Sequence, residues 1–213
     1  MKTDVELAEL FKTIQSWDTL GTDTQCFIFE EYDETVIIFA ASNSKEDWKI
    51  NFNFPKLPYR NMEAKFRVHR GFLDEWERIQ SHFLDYFENK LIVGEELKPV
   101  TIVGWSYGGA MATLAMEGLW HDIPVIRDTL RLVTFGSPRV IGFFNFSKVK
   151  DRWQNTTRYR NCSDFVTCIP FILMGFHHVN KVRQIGRKFC IFDVFKTGKS
   201  HQISAYIESL KSK

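Results

Sequence analysis

The run Gly104-Trp105-Ser106-Tyr107-Gly108-Gly109 sets a serine between two glycines, one placed two residues before it and one two residues after. A serine hydroxyl becomes a useful nucleophile only when it is exposed, fixed in direction and served by a base. A tight turn from a strand into a helix meets the first two needs, and glycines at these positions remove backbone clashes across the turn. The surroundings fit such a turn. Residues 99–104 form a short apolar run of strand type, and residues 109–116 are small and apolar, as a helix lying close to a sheet requires. The helix would point its first amide groups and its dipole at the site, where they favour a developing oxyanion. The chemistry implied is acyl transfer through Ser106. The plainer alternative is a glycine-rich turn holding an inert serine; the strand before it and the helix after it count against that.

Ser106 needs two partners: a histidine to take its proton and a carboxylate to orient the histidine. When the nucleophile sits on a strand–turn–helix of this kind, the acid follows the serine in the chain and the histidine comes last. Asp164 is the first choice for the acid, because it lies just past a candidate strand at 158–161, where loops gather at a sheet's C-terminal edge. Its alternative role is a surface Asp capping a turn. Asp193 competes less well, since it falls inside an apolar, strand-like run. The base is to be chosen among His177, His178 and His201. Chain order favours His201, which stands at a junction between a polar loop, Thr197-Gly198-Lys199-Ser200, and a final helix. His177 and His178 precede strand-like Val179-Asn180-Lys181-Val182, where a hydrogen-bonded core role is the default. His69 precedes the serine, which leaves it a structural role at a helix start.

Several ordered segments resemble the class 3 lipase family, which includes fungal triacylglycerol lipases and feruloyl esterases. Phe39-Ala40-Ala41-Ser42-Asn43-Ser44-Lys45-Glu46-Asp47-Trp48 is similar to the family's F-R-G-[ST]-x-S-x-x-D-W, and Val68-His69-Arg70-Gly71-Phe72 to its V-H-x-G-F. The serine turn resembles G-H-S-L-G-G. Thr134-Phe135-Gly136-Ser137-Pro138-Arg139-Val140 matches T-F-G-x-P-R-V, and residues 161–170 resemble N-x-x-D-x-V-x-x-x-P, the segment carrying the family's acid. The resemblance covers roughly residues 25–210, and it is the order and spacing of the segments that make it specific. It implies an α/β-hydrolase fold and a serine carboxylic-ester hydrolase acting on acylglycerols or other lipid-like esters. It implies Ser106, Asp164 and His201 as a triad, with the backbone N–H groups of Ser42 and Tyr107 as the oxyanion hole. Residues 43–48 correspond to the family's lid; being mostly polar with one Trp, they suggest a short cover. Ala40-Ala41 stands where the family has Arg-Gly, Trp105 replaces His and Tyr107 replaces Leu. None of these departures removes a reacting group; they bear on the acyl pocket and the oxyanion segment.

The elements that must position these groups can be read from periodicity. Leu7, Leu10, Phe11 and Ile14 recur at helical spacing, predicting a helix over 4–16. Two β-rich runs, 25–29 and 35–40, flank a turn at Tyr32-Asp33-Glu34 and predict a hairpin. Trp48, Ile50, Phe52 and Phe54 alternate with polar residues up to Pro55, as in a half-buried strand. Phe72, Trp76, Ile79, Phe83 and Phe87 hold one stripe of a long helix. Residues 130–135 form a near-continuous apolar strand of the kind buried on both faces. Residues 179–195 predict a hairpin turning near Gly186-Arg187, and Ile203, Tyr206, Ile207 and Leu210 a closing helix. Strands alternating with helices predict an α/β fold whose central sheet is mostly parallel with helices on both faces.

The chain has 213 residues and shows no internal repeat or low-complexity linker, so residues 1–213 are expected to form one domain. The net charge of +2 is too small to argue for a nucleic-acid partner. Lys and Arg residues from Lys181 onward would allow transient contact with an anionic lipid surface, or simply form a solvated face. The 20 phenylalanines suit a Phe-rich core or an apolar cleft, and the core is the default. The start, Met1-Lys2-Thr3-Asp4-Val5-Glu6, has no apolar run behind a basic patch, and no stretch is long enough to be a transmembrane segment. A cytoplasmic protein is therefore expected, although a secreted chain with its leader removed would look the same. Cys26, Cys162, Cys168 and Cys190 are widely spaced without a CxxC and are expected as reduced thiols. Cys162, Cys168, His177 and His178 cluster in sequence but match no common zinc spacing, so no metal and no other cofactor is expected. Two rival functions stay open: a non-catalytic interaction module on the same fold, and the same triad acting on a thioester or peptide.

Overall fold

In a computed structural model of the chain, residues 1–22, 24–41, 56–58, 66–142, 150–187 and 197–212 are described. The central sheet comprises β1 (Asp18–Leu20), β2 (Thr24–Glu30), β3 (Thr35–Phe39), β6 (Val100–Trp105), β7 (Arg131–Phe135), β9 (Thr156–Asn161) and β11 (Val182–Ile185). They run through the molecule in the order β1-β2-β3-β6-β7-β9-β11. From β3 to β11 every pairing is parallel, while β1, β2 and β3 pair antiparallel. A second, antiparallel sheet is built from β4 (Lys56–Pro58), β5 (Arg67–His69), β8 (Ile141–Gly142) and β10 (Phe176–His177), in the order β10-β8-β5-β4. These are two- and three-residue strands whose pairing is long-range, and such short runs carry no periodic signal.

The period of two along the central strands distributes the core. Val36, Ile38, Val103, Val133 and Phe135 face α1 (Asp4–Thr13) and the last helix, where they meet Leu7, Ala8, Tyr206 and Ile207. Ile37, Phe39, Val100, Ile102 and Leu132 face the opposite way, onto α2 (Arg70–Ile92) and α3 (Tyr107–Asp122). The expected stripe of α2 is the buried one: Phe72, Trp76, Ile79, Phe83 and Phe87 are all buried, with the Phe83 ring 5.3 Å from Phe39 and 5.8 Å from Trp76. Most of the buried phenylalanines thus belong to the core; Phe72 also reaches the cleft described below.

Some boundaries differ from the sequence expectation. The first helix stops at Thr13 instead of residue 16, because Ile14 is already extended at φ −69°, ψ 116°. It starts in a capping box: the Thr3 hydroxyl accepts from the Glu6 N–H, and the Glu6 carboxylate accepts from the Thr3 N–H. The first arm of the expected 179–195 hairpin is the strand β11, and the turn expected near Gly186-Arg187 falls where that strand ends. β11 pairs parallel with β9 and ends at Ile185, just before Gly186 at φ 63°, while residues 188–196, the expected return arm, lie outside the described residues. The strand expected at 48–54 also lies outside them.

One buried group makes stability depend on pH. The Glu117 side chain is fully enclosed in α3, and burial pushes its carboxyl up to about 8 against the partial opposition of Arg152 at 3.5 Å. Between the unfolded value of 4.5 and about 8, the folded protein keeps a proton that the unfolded chain has released. Stability therefore falls as pH rises through that window. Glu117→Gln removes the group. The melting temperature of the natural chain should drop more from pH 5 to pH 8 than that of Glu117→Gln, the difference being on the order of 1–4 kcal/mol of stability. Parallel profiles would contradict it.

Candidate active site

β6 delivers Ser106 to the start of α3, with the backbone at φ 58°, ψ −125°. This region is costly for a residue with a Cβ, by about 1–3 kcal/mol, and persists only where neighbours over-determine it. They do so here. The Ser106 N–H donates to the Phe135 carbonyl at 2.9 Å, and the Ser106 carbonyl accepts from the Gly109 N–H at 2.9 Å. A Cβ on Gly104 would come within 2.2 Å of the Gly108 carbonyl oxygen, and one on Gly108 within 2.1 Å of the Phe39 carbonyl oxygen. Only glycine permits either approach, which is the physical reason for the spacing around the serine.

Asp164 arrives from the other side of β7. β9 ends at Asn161, the chain turns through Cys162 at φ 46°, and the Asp164 N–H donates back to the Asn161 carbonyl at 3.0 Å. Its carboxylate is wholly buried and well supplied with donors: the Val166 N–H at 3.0 Å on Oδ1, and the Tyr206 hydroxyl at 2.6 Å and His201 Nδ1 at 2.8 Å on Oδ2. His201 lies between α4 (Thr197–Ser200) and α5 (Ile203–Lys211), and its Nε2 is 2.7 Å from Ser106 Oγ. A carboxylate can only accept, so Nδ1 carries the proton facing Asp164 and Nε2 is left bare to accept from the serine hydroxyl. This is the tautomer a general base needs.

The imidazole is held by its backbone as well as by its ring. The Trp105 indole N–H donates to the His201 carbonyl at 2.9 Å. Asn161 Nδ2 donates to the Ser200 carbonyl at 3.1 Å, and its Oδ1 accepts from Ser209 Oγ at 2.8 Å. Ile203, Tyr206 and Ile207 anchor α5 on the core. Sequence reasoning missed these supports. The one signal for Trp105 was its departure from the family's histidine; for Asn161 and Ser209 there was none, since they meet across 48 positions of chain.

The other titratable candidates are engaged elsewhere. His178 donates through Nε2 to the Thr167 carbonyl at 2.8 Å; burial, reinforced by Arg158, holds it neutral well below the usual histidine range. His177 Nε2 meets the Gly142 carbonyl at 3.2 Å. His69 stands at the N-cap position of α2 without a capping bond from its side chain, and its ring centroid lies 4.4 Å from that of Phe72. Cys162 Sγ accepts from the Arg187 N–H at 3.3 Å, and among the described residues no three His, Cys, Asp or Glu side chains gather as a metal would require. Asp193, Cys190, Ser42 and the 43–48 segment lie outside the described residues. Tyr107 is the first residue of α3; its ring centroid is 5.7 Å from that of Phe72 and its hydroxyl 3.1 Å from Thr24 Oγ1. A narrow cleft opens on Ser106, lined by Phe72, Tyr107, Pro138, Val166, Ile169 and Pro170.

A mostly parallel sheet sandwiched between helices, with a serine at a strained strand–helix turn, an acid beyond a later strand and a histidine last, defines an α/β-hydrolase. Residues 36–174 match the family Lipase (class 3), and the chain belongs to that family. It is similar to "Secreted mono- and diacylglycerol lipase 1" of Fusarium solani, with 30% identity over 148 residues, covering 69% of this chain and 42% of the relative. Among solved structures it resembles a Rhizomucor miehei lipase propeptide complex, with TM-score 0.69, 26% identity and coverage of 82% of this chain and 55% of that one. It also resembles a triacylglycerol lipase described as having a serine protease triad as its catalytic centre, with TM-score 0.69, 26% identity and coverage of 82% and 66%. The chain thus spans about half the length of the first two of these relatives.

Proposed function

We propose that residues 1–213 act as one α/β-hydrolase unit that cleaves carboxylic esters of acylglycerols or similar lipids through an acyl-enzyme. The observation that carries this is the unbroken chain of hydrogen bonds Ser106 Oγ–His201 Nε2 at 2.7 Å and His201 Nδ1–Asp164 Oδ2 at 2.8 Å, served to a narrow, largely apolar cleft. Ser106 Oγ attacks the ester carbonyl carbon while His201 Nε2 takes its proton, and Asp164 stabilises the imidazolium. The carbonyl oxygen becomes an oxyanion, accepting from the Tyr107 backbone N–H and from that of Ser42. The tetrahedral intermediate collapses; the carbon–alkoxy bond breaks and His201 returns the proton to the departing alcohol. Water, giving its proton to His201, then attacks the acyl-serine, and the same collapse frees the carboxylic acid and Ser106. The cleft lining of Phe72, Val166, Ile169 and Pro170 suits an acyl chain rather than a charged group.

The substrate class follows the relatives, one described as a mono- and diacylglycerol lipase and another as a triacylglycerol lipase. The Fusarium relative is described as secreted, which weighs against the cytoplasmic expectation. Among the described residues no helix is long and apolar enough to cross a membrane. The test is fatty-acid release from monoacylglycerol and diacylglycerol, beside an acyl thioester of the same chain length. Ester turnover well above thioester turnover is expected; inert esters with a rapidly cleaved thioester would move the reading to a thioesterase.

Tyr206 tests the acid. Burial, with the Asp164 carboxylate beside it, raises its phenol well above the usual tyrosine value, so it remains a donor to Asp164. A hydrogen bond to a charged group is worth about 1.5–3 kcal/mol, but only the part that changes between ground and transition state reaches kcat. Tyr206→Phe is expected to lower kcat about three- to tenfold with KM little changed. Steady-state kinetics on a soluble ester checks this, and an unchanged kcat would contradict it.

A further inference from the structure

The segment that follows the cleft wall ends in an exposed apolar tip. Ile169 and Pro170 line the cleft at Ser106, and the next four residues stand in water: Phe171 49%, Ile172 56%, Leu173 97% and Met174 38% exposed. Single exposed apolar residues are ordinary, but four large ones in sequence at a turn are not. The turn is held in shape. Met174 N–H donates to the Phe171 carbonyl at 2.9 Å and Gly175 N–H to the Ile172 carbonyl at 2.8 Å, with Gly175 at φ 76° closing the turn. Arg139 clamps its start, donating to the Pro170 carbonyl at 2.9 Å; Lys56 clamps its end, donating to the Met174 carbonyl at 2.6 Å with its ammonium 4.8 Å from the Phe176 ring centroid. The tip is therefore an ordered apolar wedge flanked by two cations. The chain from Phe165 to Arg187 holds no acidic residue, while Lys181, Arg183 and Arg187 are basic.

We infer that Phe171–Met174 is a lipid-docking tip that inserts into the surface of a lipid aggregate with anionic headgroups and sets the mouth of the Ser106 cleft against it. The inference rests on the proposed reading that the substrate is a lipid ester. The occupant follows from charge: a second copy seated on this tip would bring its own Arg139 and Lys56 against these, whereas an anionic lipid surface complements them. It also follows from position, because the tip continues directly from Ile169 and Pro170, which line the cleft at Ser106. Apolar insertion and basic flanks are the two contributions that together give stable but reversible membrane association.

The test measures cosedimentation with phosphatidylcholine–phosphatidylserine vesicles, using the Ser106→Ala background so that no lipid is consumed. The double change Ile172→Ser with Leu173→Ser is expected to weaken binding about tenfold or more. Phosphatidylcholine-only vesicles should bind the unaltered tip more weakly. A control lies at the far end of α2, where Ile92 is 80% exposed in an apolar patch at the end of a 23-residue helix. Ile92→Ser should leave vesicle binding unchanged. With Ser106 intact, the double change should leave hydrolysis of a soluble short-chain ester within twofold, which also shows that it folds. Vesicle binding that survives the double change, or falls equally with Ile92→Ser, would overturn the inference. So would loss of a dimer in sedimentation velocity with vesicle binding untouched. Failure of the hydrolase reading would appear separately, as absent ester turnover with vesicle binding still dependent on the tip.

Discussion

Ser106→Ala will lower ester turnover by about 10⁴-fold or more while leaving the fold intact. The size follows from the role: without Oγ there is no acyl-enzyme, and what remains is the contribution of substrate positioning and the oxyanion donors. The fold persists because alanine keeps the Cβ that the φ 58° turn already accommodates, and the substitution removes only the hydrogen bond from Oγ to His201. Turnover of a soluble ester, set beside a melting curve, measures both. Turnover within tenfold of the natural chain would show that another group carries the reaction.

The second large effect separates the two late histidines. His201→Ala should take turnover to near background, because no other imidazole reaches Ser106 Oγ as Nε2 does at 2.7 Å. Its cost in stability should be about 1 kcal/mol, since Asp164 keeps the Tyr206 hydroxyl and the Val166 N–H, and α5 stays anchored through Ile203, Tyr206 and Ile207. His178→Ala should do the reverse. It strips the Thr167 carbonyl of its donor and leaves a void beside the segment that carries Asp164, costing about 1–3 kcal/mol, with turnover reduced less than tenfold. pH gives an independent sign. His178 is neutral in the folded protein, its proton affinity depressed well below 6.5, so the unfolded chain takes up a proton below pH 6.5 that the folded one refuses. Stability is lost as pH falls through that region, and His178→Ala should flatten the loss. A dead but stable His178→Ala beside a near-normal His201→Ala would exchange the roles of the two residues.

How much was legible in the sequence depends on how local each constraint is. Ser106 could be read because its strained turn demands small neighbours within four residues, and Gly104 and Gly108 answer that demand where a Cβ would meet backbone at 2.2 and 2.1 Å. The central strands could be read because burial on both faces leaves continuous apolar runs such as Leu132-Val133 and Ile102-Val103. Asp164 and His201 were ranked by chain order, and the structure brings both to the serine. What could not be read depends on meetings far apart in the chain. The Trp105 indole holds a carbonyl 96 positions on, and the Tyr206 hydroxyl reaches a carboxylate 42 positions back; neither leaves a periodic trace. The short strands of the second sheet exist only through their partners, and the parallel addition of β11 to β9 leaves no periodic trace either. The basic residues beyond Lys181 were read as a solvated face or a lipid contact, but the apolar tip at Phe171–Met174 gained meaning only once it was seen to continue the cleft wall.

The most direct test of the central claim is covalent. The intact protein is treated with a fluorophosphonate, digested, and the modified peptide is identified by mass spectrometry. Ser106 is expected to carry the phosphonyl group, because its Oγ attacks phosphorus while His201 Nε2 takes the proton. Labelling should vanish in Ser106→Ala and slow by about 10³-fold or more in His201→Ala. A label on any other residue, or full labelling of Ser106→Ala, would contradict the assignment of Ser106 as the nucleophile.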